Sequence, residues 1–250
     1  MKTVLITGAT SGIGLATARK LADEGQYKLI ICGRRKERLD NLIKDLQSKI
    51  EIMSLSFDVR DKHAIAKALD NLPAAFKDID VLINNAGNAH GLDYIQNANI
   101  EDWDAMIDIN VKGLLYVSQP IIKQMMERKN GHIINIGSLA GREVYPKGNV
   151  YCASKFAVDA LNRSMRHDLN EYGIRVGSVN PGLVETEFSE VRFKGDKDRA
   201  KSVYEGFEAL KPEDIADIIH FCISRPYRVN IADLLVLPTA QASSSMIKKE

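Results

Sequence analysis

Seven short apolar runs, at residues 3–7, 28–32, 51–57, 80–84, 132–137, 174–180 and 234–237, alternate with six longer amphipathic stretches, at 13–24, 36–48, 62–72, 103–128, 151–172 and 212–224. Most of the runs are rich in Val, Ile and Leu and apolar nearly throughout, as strands covered on both faces are. The stretches between them carry apolar residues at helical spacing. Strands that alternate with helices in this way predict an α/β architecture: one doubly wound, seven-stranded parallel sheet with helices on both faces. No repeat, Ser/Gly linker or charge block interrupts the pattern, so residues 1–250 read as a single domain. The least regular segment, 181–211, follows the sixth run. It should leave the carboxyl edge of the sheet, where a long excursion serves as a substrate lid more often than as idle loop.

Composition narrows the function classes. Apolar residues make up 45% and charged residues 27%, enough for a large core and against intrinsic disorder. Lys plus Arg is 34 against 33 for Asp plus Glu, a net charge of +1, so no bulk charge draws nucleic acid or an anionic membrane. Cys32, Cys152 and Cys222 are odd in number and lack metal-ligand spacing, which speaks against a disulfide framework or a metal site. A reducing, cytoplasmic location is the simpler expectation. No stretch approaches the roughly 20 apolar residues of a membrane span, and the N-terminal run is too short for a signal peptide.

The first run ends in Thr7-Gly8-Ala9-Thr10-Ser11-Gly12-Ile13-Gly14, and an amphipathic helix follows. Glycines in such a place allow a tight turn, close backbone approach to a pyrophosphate and close helix-to-strand packing. The helix N-terminus beyond them presents unpaired N–H groups and positive dipole to phosphate. Glycine turns are common, but one placed after the first strand of an alternating chain points to a dinucleotide.

The second run ends Cys32-Gly33-Arg34-Arg35. A site for NAD places an acid about 20 residues beyond the glycine turn to accept from the ribose hydroxyls. Here that zone holds two arginines, whose planar, permanently charged forks suit phosphate. Arg34 and Arg35 are candidates for the 2′-phosphate of NADP; the alternative is a solvated basic loop.

Tyr151 and Lys155 stand four apart in Tyr-Cys-Ala-Ser-Lys, on one face of a helix. A tyrosine titrates near pH ~10. A neighbouring ammonium, and the positive nicotinamide of an oxidised cofactor, would favour its phenolate and fit it for acid–base work. Ser138 ends the fifth run at the same sheet edge, where its hydroxyl can bind a substrate oxygen beside the phenol. Asn110 lies inside a helical stretch in which asparagine has low propensity.

Together these motifs resemble the short-chain dehydrogenase/reductase family, whose spacing Gly-x-x-x-Gly-x-Gly after a threonine is met at Gly8, Gly12 and Gly14. Asn84-Asn85-Ala86-Gly87 and Pro181-Gly182 fit the same family, and the motifs run in family order from Thr7 to Pro181. The resemblance implies a Rossmann fold and a hydride-transferring enzyme. It makes Asn110, Ser138, Tyr151 and Lys155 the catalytic set, Asn110 binding water and linking Lys155 to solvent. It places Thr10, Ser11, Ile13, Asp58, Val59, Asn85, Gly87, Pro181, Gly182, Val184 and Thr186 against NADP, with Asp58 and Val59 at the adenine. Asn84 would brace the sheet.

Further segments, among them Gly33-Arg34-Arg35, Gly148-Asn149-Val150-Tyr151, Val191-Arg192-Phe193-Lys194-Gly195-Asp196 and Pro238-Thr239-x-Gln241, are similar to one subgroup, the NADP-dependent 3-hydroxy acid dehydrogenases, also called serine or L-allo-threonine dehydrogenases. That likeness implies a small 3-hydroxy or 3-oxo acid substrate, such as serine, L-allo-threonine, 3-hydroxypropionate or malonic semialdehyde, and a homotetramer. Arg192, between Val191 and Phe193, is either an ordinary surface arginine or a bidentate clamp for a substrate carboxylate. The loop 141–147 beside Ser138 is more charged than that subgroup leads one to expect. The alternatives are a broad-specificity carbonyl or 3-oxoacyl-thioester reductase on the same machinery and, more remotely, a non-catalytic NADP sensor. Trp103 reads as packing, and the polar tail 243–250 as disordered or crossing an interface.

Overall fold

The computed structural model describes residues 1–250, and all seven expected strands pair in one parallel sheet of order β3-β2-β1-β4-β5-β6-β7. These are β1 (Lys2–Thr7), β2 (Tyr27–Gly33), β3 (Glu51–Ser56), β4 (Ile79–Asn84), β5 (Gly131–Ile136), β6 (Ile174–Pro181) and β7 (Asp233–Val236). Successive side chains of each strand enter opposite layers, as the two-residue period requires. Val4 and Ile6 pack with the helices α1 (Gly12–Glu24), α2 (Lys36–Leu46) and α9 (Pro212–Ser224). Leu5 between them packs on the other side with α3 (Lys62–Asp70), α5 (Leu114–Arg128) and α6 (Asn149–Asp168). Both layers are fully dry at the strands, where Leu5, Ile6, Leu29, Ile30 and Leu82 are each 0% exposed. Each such side chain contributes roughly 1.5–3 kcal/mol.

The stretch expected as one helix over 103–128 is three pieces. α4 (Ile100–Ile107) begins at Asn99, whose side chain accepts from Asp102 N. A π-helical turn, Asp108–Gly113, separates it from α5. Wide turns of this kind cluster at functional sites, and this one holds Asn110 at 2% exposure. The stretch expected over 151–172 is α6 followed by a 3₁₀ turn, Asn170–Tyr172, which Gly173 ends at φ +67°. The segment 181–211 is pinched at its base, where Glu185 N donates to Leu210 O and Leu210 N to Leu183 O. Between these points it carries two short helices, α7 (Phe188–Arg192) and α8 (Lys197–Ser202).

Strand order reverses between β1 and β4, and the crevice at their carboxyl ends is the place where such folds bind ligands. A stitched set of hydrogen bonds holds it. Thr7 Oγ1 accepts from Asn85 N and Ala86 N at 3.0 and 2.9 Å, and Asn85 Nδ2 returns to Thr7 O at 2.8 Å. Asn84 braces the sheet as expected: its Nδ2 donates to Asn135 and Ser118, and Asn135 donates in turn to Asn162 on α6.

Candidate active site

The crevice opens into a cavity of about 590 Å³ lined by every residue expected to serve catalysis, cofactor or substrate, except Gly14 and Asn110. Gly8 sits at φ +68°, a conformation costly for any residue with a Cβ. Gly14 serves packing instead: a Cβ there would lie 2.4 Å from Gly8 O and 2.5 Å from Asn85 Nδ2. Ser11 precedes α1 without capping it through its side chain, so the first-turn N–H groups face the cavity mouth free of an internal acceptor. Close backbone approach, a helix N-terminus and arginines at the end of β2 together fit a dinucleotide with a phosphorylated ribose.

The two arginines are not equivalent. Arg34 is 62% exposed in its side chain, with Asp58 3.6 Å away. Asp58 itself is taken by Arg60 at 2.7 Å; burial opposes its ionisation, but Arg60 and Arg34 hold its carboxyl below the usual range. Arg35 turns to the glycine turn and the lid segment, bonding Thr10, Ser11 and Glu187.

Tyr151 and Lys155 are both buried on one face of α6. Burial pushes the Tyr151 phenol above its ordinary value, the nearby Tyr145 hydroxyl adds to this, and the Ser138 hydrogen bond and Arg192 charge pull it back. Lys155, the expected source of such a pull, stands one turn further along the same face. In the structure the Lys155 ammonium donates to Ile136 O at 3.1 Å, and burial lowers its own pKa to about 8. Ser138 is placed beside Tyr151, its Oγ also accepting from Ala140 N at 3.1 Å. Asn110 stands behind the cavity wall. Its Oδ1 accepts from Asn88 N at 2.8 Å, and its Nδ2 donates to Asn88 O and to Ser154 Oγ at 2.9 and 3.0 Å. It therefore ties the loop after β4 to the turn of α6 that carries Lys155.

Arg192 is no free surface arginine. Its Nε donates to Gly91 O at 3.1 Å and its Nη1 to Tyr145 Oη at 3.0 Å. The guanidinium lies 5.6 Å from the Tyr145 ring centre and 5.4 Å from that of Tyr151. Of five N–H donors three remain, on Nη1 and Nη2, and with Nε taken an anion would be held end-on between these two nitrogens.

The charges of loop 141–147 are largely spent on structure. Arg142 pairs with Asp159 at 3.0 Å and with Asp233, and Glu143 accepts from Ser244 N at 2.8 Å. What the loop gives the cavity is Tyr145 and Pro146. The tail, expected as disordered or crossing an interface, lies folded against the chain. Gln241 bridges Ile247, Glu250 N donates to Gly206 O, and Ser244 and Ile247 line the cavity. Trp103 packs beside Met106 and donates to Asn149 at 3.1 Å. Tyr145 and Arg38 were not singled out from sequence as site residues, because each enters the site through long-range folding. Gln241 was quoted in a motif, and its role is now visible: its Oε1 accepts from Leu183 N at 2.9 Å.

Three comparisons bear on this geometry. The chain matches the family described as short chain dehydrogenase over residues 2–197. It is 43% identical over 251 residues to the NADP-dependent 3-hydroxy acid dehydrogenase of Schizosaccharomyces pombe, covering all of this chain and 97% of that protein. Among solved structures it is similar to the closed form of serine dehydrogenase complexed with NADP+, at TM-score 0.93 and 42% identity over 99% of each chain. It is also similar to serine dehydrogenase from Escherichia coli, at TM-score 0.83 and 39% identity, covering 96% of this chain and 99% of the other. With the glycine turn, the buried Tyr151 and Lys155 and the reversed strand order in place, the chain belongs to the short chain dehydrogenase family.

Proposed function

We propose that the chain is an NADP-dependent oxidoreductase acting on CH–OH groups, and that its substrate is a small 3-hydroxy or 3-oxo acid such as serine, L-allo-threonine or 3-hydroxypropionate and its semialdehyde. The observation that carries the reading is the meeting of Ser138, Tyr151 and Lys155 with an anchored arginine, Arg192, 5.4 Å from the Tyr151 ring. A carboxylate held by the outer end of Arg192 leaves the carbinol of a 3-hydroxy acid to meet Tyr151, one methylene away. The names of the relatives agree with this chemistry.

The nicotinamide, when bound, accepts the hydride in oxidation and supplies it in reduction. Tyr151 takes the proton of the substrate hydroxyl in the first direction and returns it to the carbonyl oxygen in the second. Ser138 hydrogen-bonds that oxygen and orients it. Lys155 stabilises the phenolate and holds the cofactor ribose, and Asn110 keeps the helix turn of Lys155 in place and completes its path to solvent. Gly8, Gly12 and the N-terminus of α1 receive the pyrophosphate, and Arg34 the 2′-phosphate. The segment 181–211 acts as a lid, as its likeness to a closed relative supports. A homotetramer in the cytoplasm completes the reading, to be checked by light scattering and fractionation.

The test is NADP+ reduction with L-serine, L-allo-threonine and 3-hydroxypropionate against a neutral secondary alcohol and a 3-hydroxyacyl thioester. Acids are expected to lead in kcat/KM by about a hundredfold, the value of a charge-assisted bidentate contact. Equal or better rates on the neutral alcohol or thioester would overturn the acid assignment.

A further inference from the structure

Arg35 has little left to offer a cofactor. Its Nε and Nη2 donate to Thr10 Oγ1 at 3.2 and 2.9 Å, Nη2 also to Ser11 Oγ at 2.8 Å, and Nη1 to Glu187 Oε2 at 3.0 Å. Four of its five N–H donors are thereby used. Arg38, in the first turn of α2, gives its Nη1 to both Glu187 oxygens at 2.7 and 3.0 Å and approaches Thr10 O at 3.4 Å. Partial burial opposes ionisation of Glu187, but the bonds from Arg38 and Arg35 hold its carboxyl below the usual range, so it is charged at neutral pH. One lid carboxylate thus bridges two arginines that both rest on the glycine turn.

We propose that Glu187 is a positioning residue that fastens the lid segment to the phosphate-binding turn through Arg35 and Arg38, so that bound cofactor is retained by the roof, while Arg34 alone reads the 2′-phosphate. The inference rests on the NADP reading above. Two arginines against one carboxylate leave one positive charge over Thr10 and Ser11, which keeps the turn attractive to a pyrophosphate. The opposite end of the lid is tied separately, by Arg192 to Gly91 and by Lys194 to Asp102 at 2.9 Å. Loss of Glu187 therefore loosens the cofactor side and spares the substrate side.

The experiment compares Glu187→Gln with Arg34→Gln. Release of NADPH and of NADH is followed by nicotinamide fluorescence, and cleavage within 183–211 by limited proteolysis of the protein without cofactor. Glu187→Gln is expected to speed release of both cofactors by a similar factor, from several-fold to about tenfold, to speed lid cleavage, and to leave the NADPH-to-NADH affinity ratio unchanged. Arg34→Gln should collapse that ratio and leave cleavage as it was. Glu187→Asp, which keeps the charge, should restore part of the retention. Wild-type release and cleavage rates in Glu187→Gln, or a loss confined to NADPH, would overturn the assignment. Should Glu187→Gln fail to fold, Arg38→Gln removes the Arg38 half of the bridge and leaves Arg35 on Glu187, and it should shift release and cleavage in the same direction by a smaller factor. Equal affinity of the wild-type protein for both cofactors would instead refute the NADP reading, with the fastening still judged by cleavage.

Discussion

The floor of the cavity and its roof are held by different kinds of bond. In the floor, backbone meets backbone and buried amide: Gly14 sits where any Cβ would strike Gly8 O, and Asn85 and Thr7 stitch β1 to β4. In the roof, side-chain charges do the holding, with Glu187 on Arg35 and Arg38 and Lys194 on Asp102, most of these side chains between 42% and 59% exposed. Bonds of the first kind leave no alternative conformation nearby, since breaking one strands a polar group in a dry core. Exposed ion pairs are individually worth about 0–1 kcal/mol and exchange readily with water. A rigid floor with a detachable roof suits a site that must align a hydride and still release product.

Four changes press on this contrast. Tyr151→Phe strikes the floor at the group proposed to transfer the proton, and turnover should fall by about three orders of magnitude while NADPH affinity stays near wild type. Steady-state kinetics with a binding titration decide it, and near-native turnover would remove Tyr151 from its role. Arg192→Leu strikes the contact proposed between the roof and the substrate carboxylate. The KM for hydroxy acids should rise about ten- to a hundredfold with little change for a neutral alcohol, whereas parallel losses on both would show that Arg192 only packs.

His132 tests the base of the floor, far from the cavity. It is 1% exposed in β5 and neither ring nitrogen has a hydrogen-bond partner. Burial, then the charges of Arg175 and Lys2, lower its pKa to about 3. In the unfolded chain histidine titrates near 6.5, so as pH falls the unfolded state takes the proton first. Stability should therefore drop from about pH 6.5 toward pH 3, by about 1.4 kcal/mol per pH unit from this residue alone. Denaturant melts of His132→Leu should show a flatter acid limb; an unchanged slope would mean that the strand opens to protonate it. Smallest of all is Lys194→Ala in the roof, expected to cost less than about 1 kcal/mol in the same melts. A loss of several kcal/mol there would erase the distinction between roof and floor.

Much of the floor was legible in the order of residues along the chain. The seven runs, the glycine turn and the four-residue spacing of Tyr151 and Lys155 are local patterns, and local patterns report backbone conformation and the face a side chain takes. The break of the 103–128 stretch at Asn110 was legible only as a low helix propensity, because the wide turn is stabilised by Asn88 and Ser154, which the sequence separates from it. The roof resisted for a related reason. Glu187 lies 152 residues from Arg35 and 149 from Arg38, and nothing in the lid's own composition marks which of its acids meets them. Nor does the polarity of the tail reveal that Gln241 donates to Ser243 O and that Glu143 accepts from Ser244 N.

Periodicity and glycine placement thus carried the strands, the cofactor turn and the Tyr151–Lys155 face, since each depends on conformations that neighbouring residues enforce. Partnership between distant charges followed a different logic. Arg34 and Arg35 are adjacent and chemically identical, and only the packed chain sent one to solvent and the other to Thr10, Ser11 and Glu187. The burial of the Tyr151 phenol, and the approach of Tyr145, Ser138 and Arg192 to it from separate parts of the fold, arise in the same way. Electrostatic interaction depends on distance and on local dielectric, and both exist only once the core has closed.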